Sequence, residues 1–471
     1  MILAADPVTL DTGDTAWLLV SSALVLLMTP GLAFFYGGLN RSKSVLNMMM
    51  MSFSSIGLVS VLWLLYGFSG AFGADQPIND STAGIYGSLG QYSGWRTFAT
   101  ELGYPFNASL PIPTYVVLAF QMMFAIITVA LISGAISDRT KFFGWLVFAA
   151  GWFTLAYVPI AHMVWGGGFL GVTVGELDFA GGSAVHINAG SAALALAIVI
   201  GRRVGWPKEN FRPHNVPFVA LGAGLLWFGW FGFNAGSELT ADNISAIAFV
   251  NTQMATAAAL MGWIIVEWLK NGKPTLVGAS SGAVAGLVAI TPACAYIVPW
   301  AATLLGLVAG AVCALAVSLK YKLGFDDSLD VVGVHFVGGW IGCLWIGFFA
   351  NPLADGGVYV KHPGLLVSGG SAHQLISQAE GAGVVTVWSF VVALVIGYAV
   401  KFTIGLRTKQ DAEIDGIDVA EHAESAYDFH TSGGGGGGGG GAFALAGISH
   451  GGSHTADSKA AESQPAQPAK V

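Results

Sequence analysis

The sequence predicts an all-α polytopic membrane protein with eleven transmembrane helices, and three observations carry that prediction. Of 471 residues, 54% are hydrophobic and only 10% are charged, a balance that excludes an ordinary soluble domain. Apolar runs of about 18 or more residues, long enough to cross a bilayer as helices, recur along most of the chain. Lysine and arginine gather in alternate connections between those runs, the pattern left when positive charge is retained on one side of a membrane. The formal net charge of −8 comes from acids in the other connections and in the tail, so it does not bear on the sign of a ligand.

The apolar runs lie at roughly 15–38, 44–72, 114–137, 142–163, 183–201, 215–236, 247–269, 275–290, 299–319, 331–349 and 384–404. Arg41 and Lys43, Arg139 and Lys141, Arg202, Arg203, Lys208 and Arg212, Lys270 and Lys273, Lys320 and Lys322, and Lys401, Arg407 and Lys409 mark one side. The other side holds only Arg96 and Lys361. An odd number of spans with this bias places the N-terminus outside and the C-terminus inside. Residues 1–14 form an external segment without the basic region and small-residue site of a secretory signal, so the first run is retained as a span. Cys294, Cys313 and Cys343 are too widely spaced for a zinc motif and too few for a disulfide framework, and read as small apolar fillers.

In the first span, Pro30 and the glycines of Phe35-Tyr36-Gly37-Gly38 predict a bend or a tight helix crossing. Four methionines after Asn47 open the second span; with no Cys or His beside them they predict adaptable packing and no metal. Residues 73–113 form a long outside connection rich in Gly, Ser, Tyr and Pro, able to fold over the external mouth. The third span carries Phe124, and Trp165 closes the fourth at the outer interface. Interfacial tryptophans are common as amphipathic anchors, but the faces of Trp165 and Phe124 could also hold a small cation. The fifth span brings Asp178 and then His186 into an apolar run.

Pro207, Pro213 and Pro217 bracket a basic inside loop, with five spans before it and five after. The sixth span repeats the aromatic and glycine pattern of the first in Trp230-Phe231-Gly232-Phe233-Asn234-Ala235-Gly236-Ser237. Gly278-Ala279-Ser280-Ser281-Gly282 matches a hydrolase elbow but lies in an apolar small-residue run, where close helix packing explains it. The tenth span brings Asp327 and then His335, again eight residues apart and again with Val before His. The simplest architecture is therefore a five-plus-five inverted repeat, about 15–201 and 215–349, plus an extra helix at 384–404. A pseudo-twofold axis in the membrane plane would bring the two imidazoles together near its middle, where polar groups are expensive and functional. Residues 405–430 form an acidic inside tail in which Ile414 and Ile417 offer a small apolar face for docking. Beyond it, 431–471 contain the Gly433–Gly441 tract and are expected to be disordered. No Walker loop, dinucleotide fingerprint or zinc-protease motif is present, so enzyme chemistry lacks support and neither cofactor nor nucleic acid is implied.

From about Asp11 to Tyr427 the chain resembles the ammonium transporter family, which includes methylammonium permeases and Rhesus proteins. The resemblance rests on Phe35-Tyr36-Gly37-Gly38, Ala161-His162-Met163-Val164-Trp165-Gly166-Gly167-Gly168, Asp178-Phe179-Ala180-Gly181-Gly182 through His186-Ile187-Asn188-Ala189-Gly190, Trp230 through Ser237, and Gly333-Val334-His335. It implies a homotrimer in the plasma membrane, of the bacterial inner-membrane kind, with one pore per subunit. It implies an external cation-binding site of Phe124, Trp165, Ser237 and Asp178, the acid shaping and supporting the site, a phenyl gate of Phe124 and Phe233, a pore pair His186 and His335, and Trp230 flanking the pore. Ammonium would be recruited outside, deprotonated, and passed as ammonia through an apolar pore, with proton co-translocation expected. Whether the proton follows separates an electrogenic transporter from a neutral channel, and the sequence leaves both open. A PII-type signal protein is the partner implied at the cytoplasmic face. Two departures stand out: Ala423 replaces the usual glycine in Glu421-His422-Ala423-Glu424, and Thr291-Pro292-Ala293-Cys294-Ala295 differs from the commoner Thr-Pro-Ala-Ala-Gly. The competing reading is an ammonium sensor that signals through its tail and a partner.

Overall fold

Helices long and apolar enough to cross a membrane account for most of the computed structural model, which describes residues 9–77, 83–95, 102–103 and 110–427. Among the described residues there are ten: α1 (Thr12–Leu39), α2 (Val45–Phe72), α3 (Thr114–Ile136), α4 (Phe142–Val174), α5 (Gly182–Ile200), α6 (Val216–Glu238), α7 (Asn243–Asn271), α9 (Pro299–Leu323), α10 (Val332–Phe349) and α11 (His373–Thr403). Between α7 and α9 lies α8 (Leu276–Ile290), the run expected at 275–290. Its 15 residues rise only about 22 Å, short of the roughly 30 Å hydrocarbon core. No strand occurs among the described residues beyond isolated bridges. The glycine tract and the rest of 428–471 lie outside them, as does Arg96.

α4 runs on to Val174 rather than ending near 163, and just as far from its expected boundary is α11, which starts at His373 rather than near 384. Its first turns carry Gln374, Ser377 and Gln378, polar residues that an apolar-run reading passes over, yet all three are buried. Gln378 Nε2 donates to Leu177 O at 2.8 Å, and its Oε1 accepts from Leu177 N at 2.7 Å. Those bonds let a polar helical segment sit inside the protein.

Small residues set the crossings. α1 runs as one helix through Pro30 and packs along α6, so the first span makes the tight crossing. A Cβ on Gly38 would lie 2.7 Å from Val219 N, and one on Gly232 would lie 2.9 Å from Ser21 O. In α8 a Cβ on Gly282 would meet Trp263 Cβ at 2.6 Å, while the Ser280 hydroxyl turns back onto Leu276 O at 2.8 Å. The elbow-like motif is therefore packing.

Two histidine-bearing helices, α5 and α10, each begin as a π-helix, over Gly182–Ile187 and Val332–Phe336. The wider turn, seen in the bond from His186 N to Gly181 O at 3.0 Å, is a device common at functional sites. On the arginine-rich face the tail forms α12 (Gln410–Asp415) and α13 (Ile417–His422). Ile417 is fully buried there, but Ile414 is 45% exposed, so only one of the two expected docking residues docks. Asp418 accepts from Leu46 N and Asn47 N at the start of α2, and Glu413 from Val204 N at 2.6 Å.

Candidate functional site

A vestibule of ≈370 Å³ opens where α3, α4, α6 and the 175–179 connection converge, and its wall includes Phe124, Trp165, Asp178 and Ser237. Phe124 projects from α3 and meets Trp165 edge to face, with centroids 6.1 Å apart and planes at 88°. On its other side Phe124 stacks on Phe233 at 4.1 Å and 20°, forming a two-ring plug at the vestibule floor. Ser237, one turn beyond Phe233 on α6, donates to Phe233 O at 2.8 Å and keeps its oxygen lone pairs for a ligand.

Below the plug, Trp230, His186 and His335 follow in line. His186 stacks on Trp230 with centroids 5.4 Å apart and also lies 6.2 Å from the Phe233 ring. Trp230 is fixed by its Nε1–H, which donates to Thr291 Oγ1 at 2.8 Å. The two imidazoles face one another with Nδ1 to Nδ1 at 3.3 Å, as the inverted-repeat reading anticipates. One of these nitrogens must donate and the other accept, which gives the two Nε2 atoms opposite roles. His186 Nε2 has no hydrogen-bond partner. The chamber beside the rings, walled by Met28, Leu32, Leu226 and Val284, holds only ≈10 Å³, about one water.

Asp178 is placed by local geometry. Gly181, at φ +114°, turns the chain so that the first N–H groups of α5 converge on one carboxylate. Its oxygens accept from Gly181 N, Gly182 N, Ser183 N and Ala184 N at 2.7–3.0 Å, and from Ser183 Oγ at 2.8 Å. Five donors fill the roughly four lone-pair positions of a carboxylate. Its carbonyl accepts from Trp165 Nε1 at 2.9 Å, tying the aromatic wall to the same turn. The sequence shows Asp178 eight residues before His186 but does not reveal that its carboxylate is already filled by the start of α5.

Residues the sequence reading passed over also build this mouth. Tyr296 and Tyr359 line the vestibule, and Glu176 stands two residues before Asp178. Glu176 is buried, with neither carboxylate oxygen hydrogen bonded. Burial, reinforced by the charge of Asp178, pushes its carboxyl up to about 8. The Ser183 hydroxyl works the other way on Glu176, but its single proton goes to Asp178. Behind Trp165, the ring of buried His162 bridges Ala71 O at 3.0 Å and Asp75 at 2.8 Å while its carbonyl accepts from Gly166 N and Gly168 N at 2.9 and 3.1 Å, so the residues around Asp75 are fastened to the glycines that interrupt α4. The motif around His162 was visible in the sequence; its partner Asp75, 87 residues earlier, was not.

The family model described as Ammonium Transporter Family matches residues 16–427. An ammonium transporter of Mycobacterium tuberculosis is 54% identical over 447 residues, covering 90% of this chain and 92% of that protein. The crystal structure of Candida albicans Mep2 is similar with a TM-score of 0.77 at 33% identity, covering 86% of this chain and 88% of that one. A structure titled Sensor Amt Protein has a TM-score of 0.77 at 29% identity, covering 87% of this chain and 98% of that one.

Proposed function

The chain belongs to the ammonium transporter family and is a multi-pass membrane protein that transports ammonium and is not an enzyme; from that premise we propose the route the substrate takes through it. Ammonium enters the vestibule and rests among the faces of Phe124 and Trp165 and the Ser237 oxygen, which replace part of its hydration. Asp178 does not touch the ion; saturated by α5, it holds the turn that accepts the Trp165 indole N–H and leads into His186. A potassium ion of similar size cannot donate hydrogen bonds to such a site. Below the Phe124–Phe233 plug the walls are apolar, so a bare cation is excluded while neutral ammonia loses far less on entry. The ion therefore leaves a proton behind at the plug, and ammonia crosses beside Trp230 and the imidazole pair. The continuous His186–His335 contact supplies a hydrogen-bond chain along which a proton can follow.

The observation that carries this reading is the order of parts along one line: aromatic vestibule, stacked plug, paired imidazoles, narrow apolar chamber. The reading includes an outside N-terminus, an inside tail, a transport domain over 15–404 with the tail at 405–430, three subunits each with its own pore, and a PII-type protein at the arginine-rich face. Its test is the current in proteoliposomes after an ammonium pulse, against a potassium pulse, for the native protein and the His186→Ala, His335→Ala double variant. An ammonium-only current lost in the double variant is the expected result. Alkalinisation of the lumen without current would assign neutral conduction, and neither signal from intact protein would favour the sensor reading.

A further inference from the structure

We infer that Glu176 is the proton acceptor for ammonium in the vestibule, a role that rests on the transport reading above. The vestibule needs a base, since an ion that must enter an apolar pore as ammonia has to give its proton to something. Asp178 cannot serve without abandoning five hydrogen bonds. Glu176 is the other carboxyl in the same wall, and neither of its oxygens is bonded. A group with no bond to break can turn toward the chamber without losing a partner. Among the described residues no lysine or arginine forms an ion pair with it, so its charge is not already neutralised.

The position is built rather than incidental. Gln374 Nε2 donates to Gly175 O at 3.2 Å and Gln378 brackets Leu177 from both sides, clamping the backbone on either flank of Glu176. Gly381 on the same helix leaves the slot the carboxyl occupies, because a Cβ there would overlap the Glu176 carboxyl group. The titratable groups that face it are Asp178 on its own segment, Cys343 on α10, and Tyr296 and Tyr359 across the vestibule; Glu380 on α11 is exposed. A carboxyl pushed up to about 8 suits this work, since proton transfer is most effective when donor and acceptor have similar affinities, and a lysine-like ammonium group titrates near about 10.

The step balances simply. An N–H bond of the bound ion breaks, an O–H bond forms on Glu176, and the electron pair stays on nitrogen. Ammonia moves to the Phe124–Phe233 plug. The proton then leaves Glu176 to vestibule water, the starting point for either an outward path or the histidine pair. An arriving cation favours the ionised carboxylate, so the base is generated where and when substrate is present.

The test is initial ammonium flux into proteoliposomes at fixed external ammonium-ion concentration, from about pH 6 to about pH 9. For the native protein flux is expected to climb with pH and level off near the top of that range. Glu176→Gln is expected to lower kcat about tenfold or more and to flatten the profile, consistent with loss of one general base. Glu176→Asp is expected to restore a pH-dependent rise, and Gly381→Ala, which disturbs the slot but keeps the acid, to shift it. Native flux with an unchanged profile in Glu176→Gln overturns the proposal. So does a loss in Glu176→Gln that Glu176→Asp does not rescue, if the residual flux keeps the native profile. Either failure leaves the transport reading standing, because the native protein and the histidine variant are read in the same vesicles; absence of native flux would overturn both.

Discussion

The two histidine segments share a sequence interval and a π-helical start, yet they use their aspartates differently. Asp178 gives both oxygens to the opening turns of α5 and has no cation beside it. Asp327 accepts only Val332 N, at 2.7 Å, and leaves Oδ1 unpartnered. Near it Lys320 Nζ donates to Asp327 O at 2.8 Å and pairs with Asp330 at 2.6 Å. The difference continues outward on each side. The vestibule holds acids without cations, whereas on the arginine-rich face Arg41, Asp138, Arg203 and Asp326 pair in a largely buried network. Repetition of a motif thus preserved the backbone geometry that aims each imidazole, while the charge around each copy was set by its own neighbours. The vestibule keeps its acids uncompensated; the arginine-rich face neutralises Asp138 and Asp326.

The strongest way to break this comparison is to remove one charge at a time. Asp178→Asn puts an amide hydrogen among converging N–H donors, and loss of a buried charge from such a network costs about 3–5 kcal/mol. Asp327→Asn keeps an acceptor for the single Val332 bond and removes a buried charge, so less than about 1 kcal/mol is expected. Thermal unfolding of the purified variants checks the contrast. Equal losses would mean the two caps are equivalent despite their bonding.

A smaller effect, opposite in sign at the two mouths, comes from pH. Glu176 at the vestibule binds its proton more tightly when folded than an ordinary carboxyl does, because burial and Asp178 both raise it. Its contribution to stability is present below the ordinary glutamate value and lost as pH rises through about 8. At Asp326 burial works against the charge, but Arg203 and Arg139 outweigh it and hold the carboxyl below 3.8. That contribution is present above the ordinary value and lost as pH falls through the depressed one. Glu176→Gln is expected to raise the Tm near pH 9 by a few degrees and to leave it little changed near pH 5, whereas Asp326→Asn lowers it at both. A Glu176→Gln protein that melts like the native one at alkaline pH would refute the assignment of a buried unpaired acid.

How much of this was legible in the sequence follows from the range of the interactions. The spans, the alternate basic connections and the paired histidines were readable because hydropathy, charge bias and an eight-residue interval are local signals. The Phe124–Phe233 stack joins α3 to α6 and was available only through family resemblance. The polar start of α11 was missed because Gln374 and Gln378 look exposed until Gly175 and Leu177 are brought to them. Glu176 was missed for the same reason: what buries it is a missing side chain at Gly381, far along the chain. In the tail, Ile414 and Ile417 are equally apolar, and only the packing of α13 on α2 separates them.

The smallest effect expected lies in that tail and tests whether the neutralised mouth is as finely fitted as the vestibule. Ala423 ends α13 in the left-handed region, at φ +54°, with its N–H bonded to Val419 O at 3.1 Å. This is the position where helices favour glycine, because a Cβ there crowds the preceding turn. The fold accepts the strain because its neighbours hold the segment: His422 contacts Asn47 at 2.9 Å, Glu421 accepts from Phe142 N at 3.0 Å, and Tyr427 meets His214 at 2.7 Å. Ala423→Gly relieves the folded state but frees the unfolded chain, so the net gain is below about 1 kcal/mol. The measurement that resolves so small a change is local: amide exchange at Asp418 to Ala423 should slow in the glycine variant while exchange in α5 and α10 stays the same. Faster exchange at those positions would mean that the alanine rigidifies the tail more than its backbone strain weakens it.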